Sequence, residues 1–153
     1  MPKNLWRDKQ PLILASTSKT RLKLLEDISL PVRAEPSNVD ERGIEERLVK
    51  KGAGPADVAL ALAKAKACNV AEKFPNHLVI GADQTLALGQ DQFHKPTSID
   101  GARDHLRRMR GRTHQLHSAI VCIQGSQEAF THVETAQLAM REFTDDFLEA
   151  YLE

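Results

Sequence analysis

The chain has 153 residues, with 21 basic residues against 21 acidic ones and a formal net charge of zero. That length makes one domain with a real core, and the charge balance leaves no whole-molecule field to draw it to nucleic acid or an acidic membrane. Cys68 and Cys122 stand far apart without a CxxC, which suits a reducing cytoplasm, and no apolar run is long enough to span a bilayer.

Residues 1–10 lack the apolar core of a signal peptide and read as a polar leader ahead of a single domain over 11–153. Residues 11–15 read as a buried strand feeding a hydroxyl-rich turn of Ser16, Thr17 and Ser18. Leu22, Leu25 and Ile28 then recur at helical spacing, with Ser18 as the N-cap. A helix start offers unpaired N–H groups and the positive end of the dipole, where an anion binds well. Ser16 and Ser18 add donors, and Arg21 stands one turn in and can reach back with a charged fork. An ordinary cap with a solvated Arg is the alternative, and this segment alone does not separate the two.

Residues 30–34 predict a second strand, followed by Asp40 and Glu41. Two adjacent carboxylates can hold a divalent cation together with substrate oxygens, or simply line a solvated loop. A short helix is expected over 44–51, and Gly52, Ala53, Gly54 and Pro55 predict a mobile loop. Asp57 is expected to cap a helix running to about Lys73, with Leu62, Ala63, Ala67, Val70 and Phe74 as its apolar stripe. Lys66 falls inside that stripe and Lys64 outside it. A lysine on the core-facing side must meet an anion or snorkel to water.

The next strand carries a suitable anion. Leu78, Val79 and Ile80 lead into Gly81, Ala82, Asp83, Gln84 and Thr85. Gly81 permits close approach of another backbone or a ligand. A carboxylate on a buried strand has to be paired or bound to a metal, so Asp83 is the leading functional candidate. Residues 89–91 predict a turn. Lys95 is held extended by Pro96, either as a fixed phosphate contact or as a surface lysine.

Thr97 and Asp100 have capping-box spacing and open a helix running to about Met109. Its basic face, Arg103, Arg107, Arg108 and Arg110, has no interleaved aromatics and reads as solvated rather than as a nucleic-acid surface. Gly111 closes the helix. Residues 113–124 and 129–140 alternate as hairpin strands about Gly125 and Ser126. His114 and His117 fall on opposite faces and cannot chelate one metal. Thr144 caps a last helix with an acidic first turn. Its apolar face, with Phe147, Leu148 and Tyr151, favours a binding partner or a homodimer.

Several segments together resemble a known family. They are Leu14 to Ser18 with Arg21, then Val39, Asp40 and Glu41, then residues 63–67 around Lys66, then residues 80–84 with Asp83, then Lys95 with Pro96, then residues 111–114. In this order they look like the Maf family of nucleotide pyrophosphatases, the septum-formation-inhibitor-like proteins. The resemblance implies an α/β fold, a mixed sheet flanked by helices with a groove between two lobes, similar to the inosine triphosphatases. It implies hydrolysis of a nucleoside triphosphate to the monophosphate and pyrophosphate with Mg²⁺ or Mn²⁺, as house-cleaning of the nucleotide pool. On that reading Asp83 looks like the general base and, with Glu41, a metal ligand. Ser16, Ser18, Arg21, Lys66, Gln84 and Lys95 look like substrate contacts. Gln84, with Thr20 rather than Arg ahead of Arg21, is similar to the branch acting on 7-methyl-GTP. Members of the family continue past the last helix of this chain, so a C-terminally shortened domain is expected. That leaves a second expectation, a weakly active or non-catalytic protein with a binding or cell-division role.

Overall fold

The computed structural model describes residues 6–153, so the first five residues of the expected leader lie outside the described residues. The elements in chain order are β1 (Leu12–Leu14), α1 (Lys19–Asp27), β2 (Val32–Ala34), α2 (Glu41–Lys50), α3 (Pro55–Ala71), β3 (Leu78–Leu88), β4 (Asp91–Phe93), α4 (Ile99–Met109), β5 (Thr113–Gln124), β6 (Gln127–Ala139) and α5 (Asp145–Leu152). The strands form one mixed six-stranded sheet in the order β2-β1-β3-β5-β6, with β4 also paired to β3. β1 is parallel to β2 and β3, and the pairs β3–β4, β3–β5 and β5–β6 are antiparallel. The expected sheet flanked by helices is borne out.

β3 is the central strand, and its two edges differ. One edge pairs with β5 continuously from Leu78 to Ala87. The other pairs with β1 only at Val79 and Ile80, and with β4 only from Leu86 to Leu88. Between those two short pairings, residues 81–85 have no strand partner on that edge. Asp83 lies in the middle of this gap.

α3 covers one face of β3 and β5. Its small side chains Ala59, Ala63, Ala67 and Ala71 pack with Ile13, Val70, Val79, Ala119 and Val121 in the main core. Burial of this apolar surface is the main driving force holding helix to sheet. The closest approach is at Gly81, where an added Cβ would lie 2.0 Å from the Ala63 carbonyl oxygen and 2.8 Å from the Ala67 Cβ. No side chain fits there, and α3 can lie this low only because position 81 is glycine.

Several boundaries differ from expectation for local reasons. The N-cap of α3 is Gly54, with Pro55 at the first helical position and the Asp57 carboxylate accepting from the Gly54 N–H at 3.2 Å. Asp57 therefore closes the cap from inside the helix. α2 begins at Glu41 rather than Ile44, because the Asp40 side chain accepts from the Gly43 N–H at 3.0 Å. α4 is capped by Ser98, which accepts from the Gly101 N–H, and not by Thr97. The second strand begins at Val32. β4 was not foreseen, since three residues between turns carry too little pattern. Its Phe93 joins Leu88 and Met109 in a second apolar cluster under α4.

The basic face of α4 is divided: Arg107 and Arg108 are exposed, as expected, while Arg103 and Arg110 are partly buried against α5. Arg103 makes a two-pronged pair with Glu149 of α5 at 2.7 Å on both prongs, and it also pairs with Asp100. Arg110 reaches Asp145 at 2.9 Å, and Arg108 pairs with Asp91 while stacking on Phe93. Asp145 in the first turn of α5 and Glu149 farther along it supply the counter-charges of Arg110 and Arg103, and Leu148 of the same helix is buried. Among the described residues, no helix is long and apolar enough to cross a membrane.

Candidate active site

Three separate elements deliver charge to the gap along β3. The first is the turn between β1 and α1. Ser16 Oγ accepts from the Ser18 N–H at 3.1 Å, and Ser18 Oγ accepts from the Arg21 N–H at 3.3 Å. The turn thereby folds its own hydroxyls around the helix start. Arg21 Nη1 donates to the Ala82 carbonyl at 3.0 Å and to Ser16 Oγ at 3.4 Å. The guanidinium thus fills part of the unpaired edge of β3 and ties α1 to it.

The second is α3. Lys66 is 7 % exposed, yet it lies on the core-facing side of the helix. Its ammonium donates to Asp83 Oδ1 at 2.7 Å. It also contacts Glu41 Oε2 at 2.9 Å. The third element is α2, whose first residue is that Glu41. One ammonium is therefore shared by two carboxylates from different elements. Lys64, pointing away, pairs with Glu128 at 2.9 Å instead.

Burial pushes the Asp83 carboxyl above the usual aspartate value. The hydrogen bond and charge of Lys66 pull the other way, as does the charge of Arg21, while Glu41 adds to the rise. Desolvation wins over the pairing.

Two cavities meet at this turn. One, of about 210 Å³, is lined by Ser16, Thr17, Ser18, Arg21, Ser37, Glu41 and Lys66. The other, of about 400 Å³, is bordered by Arg21, Leu24, Asp83, Gln84, Ser118 and Ile120, with Thr20 and Ala82 beside them. Strand alternation turns Asp83 toward α3 and Gln84 toward the opposite face. There Gln84 Nε2 donates to Ser118 Oγ at 2.7 Å on the neighbouring strand. Ser18 and Arg21 border both cavities.

The structure therefore brings together Ser16, Ser18, Arg21, Glu41, Lys66 and Asp83, and Gln84 lines the wider cavity with Ser18, Arg21 and Asp83. Lys95 is exposed and lies along a separate cavity with Leu86, Phe93 and Pro96. The sequence pattern shows no sign of Ser37 or Ser118. Ser37 follows Pro36 in the loop ahead of α2 and carries no periodic signal. Ser118 is found only through its register opposite Gln84.

Among the described residues, no group of three or more His, Cys, Asp or Glu side chains converges to cage a metal. The donors present, Glu41 and Asp83, are hard carboxylate oxygens meeting at one cationic point. Such a pair fits a hard divalent ion that takes its other oxygens from substrate and water, as Mg²⁺ does. It does not fit a soft-metal site.

Residues 11–153 match the family described as Maf-like protein. A 7-methyl-GTP pyrophosphatase of Rhizobium etli is 48 % identical over 141 residues, which cover 92 % of this chain and 71 % of that protein. A nucleoside triphosphate pyrophosphatase of Rhodopseudomonas palustris (strain BisB18) is 41 % identical over 148 residues, 97 % of this chain and 72 % of that one. Among solved structures, a HAM1 protein from Coxiella burnetii aligns with a TM-score of 0.51 at 12 % identity, covering 82 % of this chain and 69 % of that one. A nucleoside-triphosphatase, dITP/XTP pyrophosphatase, from Mycobacterium abscessus aligns at 0.50 and 15 %, covering 85 % and 74 %. At these identities the structural likeness concerns the fold.

Proposed function

The chain belongs to the Maf family, and on that premise we propose that it is a nucleoside triphosphate pyrophosphatase acting in the cytoplasm. It hydrolyses the bond between the α- and β-phosphates and releases the monophosphate and pyrophosphate. The observation that carries this reading is the shared ammonium of Lys66, held between Asp83 and Glu41 beside the hydroxyl turn and Arg21. Phosphoryl transfer needs positioned positive charge and an oriented nucleophile more than covalent chemistry. This cluster offers both within one gap of the sheet.

The polar cavity takes the phosphate chain. The α1 N-terminus and Arg21 receive phosphate oxygens, and Lys66 exchanges part of its contact with Glu41 for a phosphate. Glu41 and Asp83 are the residues that would hold a divalent cation, which when bound neutralises charge on the phosphates. Asp83 orients a water and takes its proton as the water oxygen bonds to the α-phosphorus. The bond from that phosphorus to the bridging oxygen breaks, and pyrophosphate leaves. The raised proton affinity of Asp83 favours the role of base, because proton acceptance is most efficient near the working pH. Lys95, on its separate cavity, takes no part in this arrangement.

The wider, less polar cavity suits the nucleoside. Leu24 and Ile120 offer apolar contact, and Gln84 with Ser118 offers an amide and a hydroxyl to a base edge. The similarity to the relatives named 7-methyl-GTP pyrophosphatase, together with Gln84 and Thr20, favours 7-methyl-GTP as the substrate. The test is incubation with Mg²⁺ and a panel of ordinary and methylated triphosphates, with the products identified. Pyrophosphate with 7-methyl-GMP is expected. Orthophosphate, or no product from any triphosphate, would overturn the reading.

A further inference from the structure

We propose that Ser37 is a substrate-binding residue, the donor on the second wall of the phosphate cavity, and that Asn69 is the positioning residue that holds it there. This rests on the phosphate reading of that cavity. On the first wall, Ser16 Oγ accepts from Ser18 N and from Arg21, and Ser18 Oγ accepts from Arg21 N. Those oxygens build the turn and hold the cation, while each O–H remains able to donate to a ligand.

Ser37 reaches the same cavity from a different segment, the loop between β2 and α2, and it is half-buried. Among the described residues its hydroxyl has no hydrogen-bond partner. The loop around it is nonetheless fixed on both sides. Ahead of it, Glu35 N donates to the Leu14 carbonyl of β1 at 2.9 Å. Behind it, Asn38 N donates to Asn69 Oδ1 at 2.9 Å. Asn69 stands three residues after Lys66, on the same helix α3. One rigid helix therefore sets both the ammonium and the loop that faces it.

A half-buried hydroxyl, unpaired and tethered on either side beside two cations, is a preorganised donor for an anion. Its ordering entropy is already spent in the free protein. The hydroxyl is not sealed in the interior, so water satisfies it until a ligand oxygen takes that place. A phosphate oxygen, drawn in by Arg21 and Lys66, replaces that water, and the hydroxyl donates to it.

The test measures binding of tripolyphosphate, in the presence of Mg²⁺, by isothermal titration calorimetry on the full chain. Ser37→Ala is expected to weaken binding about tenfold, the usual effect of one hydrogen bond to a charged group. Its unfolding temperature without ligand is expected to match that of the unaltered chain. Asn69→Ala is expected to weaken binding in the same direction, and the double variant to bind no worse than Ser37→Ala alone. Unchanged affinity in Ser37→Ala, full additivity in the double variant, or no binding of tripolyphosphate by the unaltered chain would each overturn the assignment. Intact tripolyphosphate binding without pyrophosphate release from any nucleotide would instead overturn the catalytic reading and leave Ser37 standing.

Discussion

Asp83 sits between a burial that disfavours its charge and two cations that favour it, and the burial prevails. Its folded proton affinity lies above the ordinary value of 3.8. A base must be ionised to act, so activity is expected to fall on acidification at a pH higher than an ordinary aspartate would give. The pH profile of kcat/KM checks this. Asp83→Asn is expected to keep nucleotide binding and lose turnover by roughly 10²–10⁴-fold, measured in single-turnover assays. The stability sign follows from linkage. A carboxyl whose folded value is raised contributes stability that is fully present below the unfolded value, near 3.8, and is lost as pH rises through the folded value. The unfolding temperature of Asp83→Asn, relative to the unaltered chain, is therefore expected to rise across that window. Sequence alone named Asp83 and Lys66, because a charge inside an apolar pattern has to be answered, and Arg21, because it stands one turn into the helix after the hydroxyl turn. It did not show that Lys66 answers two carboxylates at once, since Glu41 comes from a helix whose start was misplaced.

The contact between α3 and β3 decides whether Lys66 reaches Asp83. Gly81 leaves no room for a methyl group against the Ala63 carbonyl oxygen, which is backbone and cannot rotate away. Gly81→Ala is expected to cost about 1–3 kcal/mol by forcing α3 outward, and to reduce turnover with it, since Lys66 moves with the helix. Denaturant unfolding and steady-state kinetics on the same variant check the pair of effects. Strand β3 and its glycine were legible from the apolar run, and the helix from its alanine stripe. β4 was not legible, because three residues cannot show a period. The ion pairs of Arg103 and Arg110 were not legible because their partners Glu149 and Asp145 lie on α5, about forty residues away. Leu148, the residue of α5 that is 1 % exposed, anchors that helix. Leu148→Ala is expected to cost about 2–5 kcal/mol and to free the arginines of α4, seen as a lower unfolding midpoint.

For the molecule as a whole, a ligand bound only by the folded state raises stability by mass action. A non-hydrolysable triphosphate at a hundredfold over its Kd is expected to add about 2.7 kcal/mol. That gain is expected to vanish in Lys66→Met, as thermal shift would show. The chain fixed by its own pattern the alternation of strands and helices, the hydroxyl turn, and the list of charged residues lying where apolar ones belong. Those are local matters, set by period, capping and the cost of burying charge. The tertiary structure alone decided which charges meet. The unpaired stretch of β3 arises because β1 and β4 each cover only part of one edge, and the meeting of Glu41, Lys66 and Asp83 depends on how closely α3 lies on the sheet. No local pattern encodes these distances, because they are sums of packing choices made by residues far apart in the chain.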